Sequence, residues 1–157
     1  MTTKPSFVYV TYISTTQEKV YNALIDGEMT KQYWGRSRNT SDWKVGSSWS
    51  HQDYDDESVV DVVGKVIEAD PPRRLVLTWQ SPKSAQQDEK SSRVTFQIDP
   101  FMGAVRLTVT HEDLEPDSAA LKAAASGWSA ILSSLKTLLE TGQPLPMTTR
   151  RWAGQPT

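Results

Sequence analysis

Residues 117–141 form the segment that most restricts how this chain can fold. They read as one long amphipathic helix with two unlike halves. The second half carries Trp128, Ile131, Leu132, Leu135, Leu138 and Leu139. The first half is built of small residues (Ala119, Ala120, Ala123, Ala124, Ala125, Ser126 and Gly127) with Leu121 alone among them. A large-residue half can fill a core, and a small-residue half either packs closely or leaves room. Asp117 is a candidate N-cap. Gly142 suits the residue that closes the helix, and Pro144 and Pro146 forbid its continuation.

A chain of 157 residues fits one domain with a core of its own. We read residues 6–143 as that core and 144–157 as an extended tail. Hydrophobic residues make up 37% and charged residues 23%, a balance typical of globular chains. With 17 basic and 19 acidic side chains the net charge is −2, which gives no electrostatic reason to expect nucleic acid. There is no cysteine, so disulfides, thiolate catalysis and cysteine-bound metal are excluded. Neither an export signal nor a bilayer-length apolar run is found, so no membrane partner and a cytoplasmic location are expected.

Residues 7–13 alternate in the manner of a strand. Thr15 and Glu18 have the spacing of a capping box. The helix it would open presents Val20, Ala23 and Leu24 on one face and stops near Gly27. Residues 29–34 suggest a second short helix, and 35–40 a polar loop. Residues 43–47 and 48–54 read as strand, interrupted by a turn, and Asp55, Asp56 and Glu57 as an acidic turn. Residues 59–69 form a long strand in which Gly64 marks a bulge or bend. Residues 73–80, 94–99 and 104–112 are further strands, and 81–92 a hairpin tip. Short connections make neighbouring strands antiparallel.

Period-two alternation sorts the strands by face. Leu75, Leu77 and Trp79 share a face, as do Val94, Phe96 and Ile98, then Leu107, Val109 and His111, and also Trp49 and His51. A helix of about 24 residues is roughly 36 Å long, a match for the width of six or seven strands at about 4.8 Å spacing. The expected architecture is therefore α+β, a curved antiparallel sheet wrapped around a long C-terminal helix. Pattern alone leaves open whether the small-residue half packs tightly or stands off the sheet. Close approach or a bend are the two accounts of Gly127.

The run Gly64-Lys65-Val66-Ile67-Glu68-Ala69-Asp70-Pro71-Pro72-Arg73-Arg74-Leu75-Val76-Leu77-Thr78-Trp79 is the most distinctive in the chain. With Leu107-Thr108-Val109-Thr110-His111, and with Gly127-Trp128 before Leu132, Leu135 and Leu139, it resembles the AHSA1-like (activator of Hsp90 ATPase homologue) branch of the START/SRPBCC superfamily. The resemblance runs from about residue 6 to 143. It implies a helix-grip fold with a cavity between sheet and helix, often used for hydrophobic ligands. It covers only the C-terminal domain of the eukaryotic activator. Hsp90 activation, which needs the N-terminal domain of such activators, is therefore not expected.

Given that resemblance, Trp34, Trp49, His51, Trp79, Phe96, His111, Ala124 and Trp128 are the candidate ligand-binding residues. Aromatic rings with a polar edge suit a mostly apolar ligand, and each is equally at home in an ordinary core. His51 and His111 either meet a polar ligand group, move a proton, or are satisfied inside the core. No catalytic residue is assigned. Two histidines without suitably spaced carboxylates do not make a metal site, and no cofactor is expected. Arg36 and Arg38 lie where a cavity mouth could be. Three readings stay open. The first is a module binding a hydrophobic or amphipathic small molecule. The second is a cyclase- or hydratase-like enzyme using a cavity histidine. The third is a stress-related interaction module. A homodimer is open in each, with Arg150, Arg151 and Trp152 offering one docking segment and a loose end as the alternative.

Overall fold

The computed structural model describes residues 4–151. Seven antiparallel strands form one sheet, ordered β1-β7-β6-β5-β4-β3-β2. They are β1 (Phe7–Ile13), β2 (Ser37–Ser41), β3 (Ser48–Asp53), β4 (Val60–Asp70), β5 (Arg74–Trp79), β6 (Ser92–Phe101) and β7 (Ala104–Glu112). The helices are α1 (Gln17–Ile25), α2 (Gly27–Tyr33), the short α3 (Pro82–Gln86) and the long α4 (Ala119–Thr141), followed by a 3-10 turn at Pro146–Thr148.

The inward rows foreseen from alternation are buried. Leu75, Leu77, Val94, Phe96, Ile98, Leu107 and Val109 are sealed from solvent, and Trp49, His51 and His111 are buried beside them. Leu132, Leu135 and Leu138 of α4 close the same core. Each large apolar side chain buried there contributes about 1.5–3 kcal/mol, so the second half of α4 is its anchor.

Several local expectations shift. Thr16, not Thr15, caps α1, and its hydroxyl accepts the Lys19 amide at 3.3 Å. Thr15 is held one residue earlier, its N–H donating to the Ile13 carbonyl at 2.9 Å, so no capping box forms with Glu18. The first helix does stop near Gly27, at Ile25, but Gly27 is not its closing residue. Asp26 closes α1 and caps α2, accepting from the Glu28 amide, and Gly27 is already the first residue of α2. Residues 37–41 are strand, not loop; their buried side chains, Ser37 and Asn39, are polar and hide the alternation. Residues 43–47 are loop, with Trp43 and Gly46 both at positive φ. Trp43 nonetheless packs against the core. Within 81–92 sits α3, whose Ser81 cap and following Pro82 are an N-terminal signature. Asp117 has positive φ, so Ser118 caps α4 instead, accepting the Leu121 amide at 3.0 Å. Gly142 closes α4 in the left-handed region, as expected.

Candidate functional site

The small-residue half of α4 borders a cleft of about 480 Å³. Ala120, Ala123, Ala124 and Gly127 face it from the helix. The wall is made of Trp34, Trp79, His51 and His111 from other elements and of Trp128 from α4 itself, with Val62 and Asp61 of β4 also in the lining. A Cβ placed on Gly127 would meet nothing within 4 Å. Close approach does not explain that glycine; its missing side chain faces open space.

Three indoles meet in this wall. Trp34 comes from the C-cap of α2, Trp79 from the end of β5 and Trp128 from α4. The Trp34 and Trp79 rings stack with centroids 6.1 Å apart, and Trp128 lies 5.4 Å from each. Two expected residues stay behind the wall. Trp49 backs Trp79 at 5.0 Å, and Phe96 backs Trp128 at 5.8 Å. Neither lines the cleft. The Trp49 indole crosses Gly64 to donate to the Thr78 carbonyl at 2.8 Å. A Cβ on Gly64 would lie 1.9 Å from that oxygen, so Gly64 permits a close approach. The register shifts of β4 fall elsewhere, opposite His51/Gln52 and at Val66/Glu68.

The two histidines are held differently. The Trp128 Nε1–H donates to His111 Nδ1 at 3.2 Å, and an indole can only donate. His111 therefore carries its proton on Nε2 and gives it to the Ser92 hydroxyl at 2.8 Å. Ser92 in turn donates to the Trp79 carbonyl at 2.9 Å. Both nitrogens of His111 are committed.

His51 is fixed from β2. The Asn39 amide nitrogen donates to the Leu24 carbonyl at 3.0 Å, which turns its oxygen toward His51 Nδ1 at 2.7 Å. That oxygen only accepts, so neutral His51 carries its proton on Nδ1, and Nε2 is an acceptor. Burial lowers both imidazole pKa values from 6.5 to about 4. For His51, Asp61 pulls weakly the other way and Arg151 adds to the lowering.

The charged side chains that line the cleft, Asp61 and Arg151, pair with each other, and Arg36 and Arg38 do not line it. Arg151 grips both Asp61 carboxylate oxygens at 2.8 and 2.9 Å. The turn before it is pinned inside the protein: buried Thr148 shares a 2.6 Å hydrogen bond with Ser134, and the Gly35 amide donates to the Thr148 carbonyl. Arg151 thus docks on its own chain, while Trp152 lies outside the described residues. Arg36 pairs with Asp55 through two hydrogen bonds, and Arg38 lies over the Tyr54 ring and donates to its carbonyl. The acidic turn is structural too: Asp53 accepts the Asp55 and Asp56 amides. Among the described residues, no group of three His, Asp or Glu could hold a metal ion.

Asn39, Ser92, Asp61 and Arg151 were not visible as site residues in the sequence. Asp61 and Arg151 are 90 positions apart and belong to no motif. Asn39 could have been found only by asking which polar residue falls opposite a histidine, and Ser92 by asking which falls two positions from His111's partner, Val94, on the neighbouring strand.

A curved antiparallel sheet gripping a long terminal helix, with a cleft under the helix's small-residue half, is a helix-grip architecture. The sequence profile of the family described as activator of Hsp90 ATPase homolog 1-like protein (AHSA1) matches residues 14–140. The chain belongs to this family. No curated protein sequence matches it. Among solved structures it is similar to protein MLL2253 from Mesorhizobium loti, with 23% identity, a TM-score of 0.72 and coverage of 86% of this chain and 96% of that one. It is similar to the Aha1 dimer of Colwellia psychrerythraea, with 20% identity, a TM-score of 0.69 and coverage of 88% and 98%. It is also similar to CalU16 from Micromonospora echinospora, with 16% identity, a TM-score of 0.69 and coverage of 88% and 78%. At these identities the likeness is one of fold.

Proposed function

We propose that this protein binds a small, mostly apolar or amphipathic molecule in the cleft between α4 and the sheet. The observation that carries this reading is a cleft of about 480 Å³ lined by four small α4 residues and by three indoles, Trp128 from α4 itself and Trp34 and Trp79 from other elements. Ligand sites are typically concave, aromatic and furnished with few polar groups. Among the described residues no helix is long and apolar enough to cross a membrane. Acid/base catalysis by a histidine is the weaker reading. A general base works best with a pKa near the working pH, and burial holds both imidazoles near 4. His111 also has no nitrogen to spare.

The test is to fill the cleft from the helix. Ala123→Phe, at a half-buried lining position, should abolish binding of an uncharged reporter such as N-phenyl-1-naphthylamine while leaving the circular dichroism unchanged. Ala125→Phe, exposed and outside the lining, is the control and should bind as the parent does. Equal reporter binding by both variants would reject the cleft as the site.

A further inference from the structure

One polar atom in the wall is left over by the hydrogen-bond network. His51 Nδ1 is used by Asn39, and no described residue bonds Nε2. The residue is 94% buried, its exposure being 6%. Yet Nε2 is not fully sealed. Among the described residues, the enclosed side-chain N or O atom without a partner is Arg38 Nε. His51 lines the cleft, and with Nδ1 turned to Asn39, Nε2 is the ring nitrogen left to meet a ligand there. Because Asn39 dictates the tautomer, this nitrogen can only accept.

The surroundings narrow the ligand further. The Trp34 ring lies against His51 with centroids 4.9 Å apart, so a group reaching Nε2 passes along an indole. The charges nearby cancel, since Arg151 occupies both oxygens of Asp61. An anion would find a lone pair and a neutralised pair, and a cation would find no free carboxylate. A neutral donor is the group that suits.

We infer that the cleft selects a neutral, flat aromatic molecule bearing one hydroxyl or N–H donor, with that donor seated on His51 Nε2 and the rings against Trp34, Trp79 and Trp128. This rests on the cleft-binding reading and adds the ligand's polarity and orientation. A ligand whose donor is blocked leaves a buried acceptor unpaired, which is the kind of loss a site can discriminate against.

The experiment compares 2-naphthol, 2-methoxynaphthalene and naphthalene by calorimetry on the full chain. Expected is binding of 2-naphthol at least tenfold tighter than of its methyl ether, with the preference gone in His51→Phe. Should that variant fold poorly, the parent's imidazole nitrogen spectrum serves in its place. It should show the proton on Nδ1 of His51 and on Nε2 of His111, and 2-naphthol should shift His51 Nε2 alone. Equal affinity for naphthol and ether, or an Nε2 proton on His51, overturns the inference and leaves the cleft reading standing. Failure of all three probes to bind removes both.

Discussion

At the scale of single residues, two glycines on opposite sides of the aromatic wall carry opposite obligations. Gly64 lets the Trp49 indole reach the Thr78 carbonyl, and a methyl there would collide with backbone. Gly127 faces empty space on a helix, where glycine is about 1 kcal/mol worse than alanine. We expect Gly64→Ala to destabilise by about 1–3 kcal/mol, the usual cost of overpacking, and Gly127→Ala to stabilise by about 0.5–1 kcal/mol. Urea midpoints of the two variants should move in opposite directions. Equal shifts would mean that the space beside Gly127 closes in solution. The sequence pointed to both glycines as irregular but not to the reason, because the reason lies on other strands: Thr78 on β5 and Trp49 on β3.

At the scale of elements, α4 is the asymmetric part. Its C-terminal half inserts Leu132, Leu135 and Leu138 into the core, while Ala119, Ala120, Ala125 and Ser126 remain exposed. Leu135→Ala should cost about 2–5 kcal/mol in chemical denaturation. Hydrogen exchange should be slow from residue 131 to 139 and at least tenfold faster from 119 to 126, since local opening follows the number of buried apolar contacts. Uniform protection along the helix would contradict this division. The helix and six of the strands were legible because their hydrophobic period is clean. β2 was not, because its inward residues are Ser37 and Asn39, paired by hydrogen bonds and not by apolar burial. α3 was missed because its polar composition masked the Ser81-Pro82 start.

At the scale of the whole molecule, the two buried histidines link global stability to pH. Their folded pKa values, about 4, lie below the unfolded value near 6.5. Between those limits the unfolded chain holds more protons, so stability falls as pH drops from 6.5 toward 4 and is flat above that window as far as these groups act. Each histidine contributes on the order of 3 kcal/mol to the change. The melting temperature should therefore decline through this range, and His111→Gln should flatten the decline by roughly half. A parent protein with constant melting temperature from pH 7 to 4.5 would refute the neutral, buried imidazoles. The inward placement of both histidines could be read from strand alternation. Their opposite protonation could not, because Asn39 and Trp128 arrive from β2 and α4 and meet them only in the folded chain.

The vacancy beside Gly127 has a practical side as well. The chain contains no cysteine, so Gly127→Cys would create its sole thiol, at a position where a Cβ meets no atom within 4 Å beyond its chain neighbours and its own helix backbone. A spin label or fluorophore attached there would stand at the cleft that the three indoles line. Quenching of such a dye would report each arrival and departure of an occupant without any further engineering.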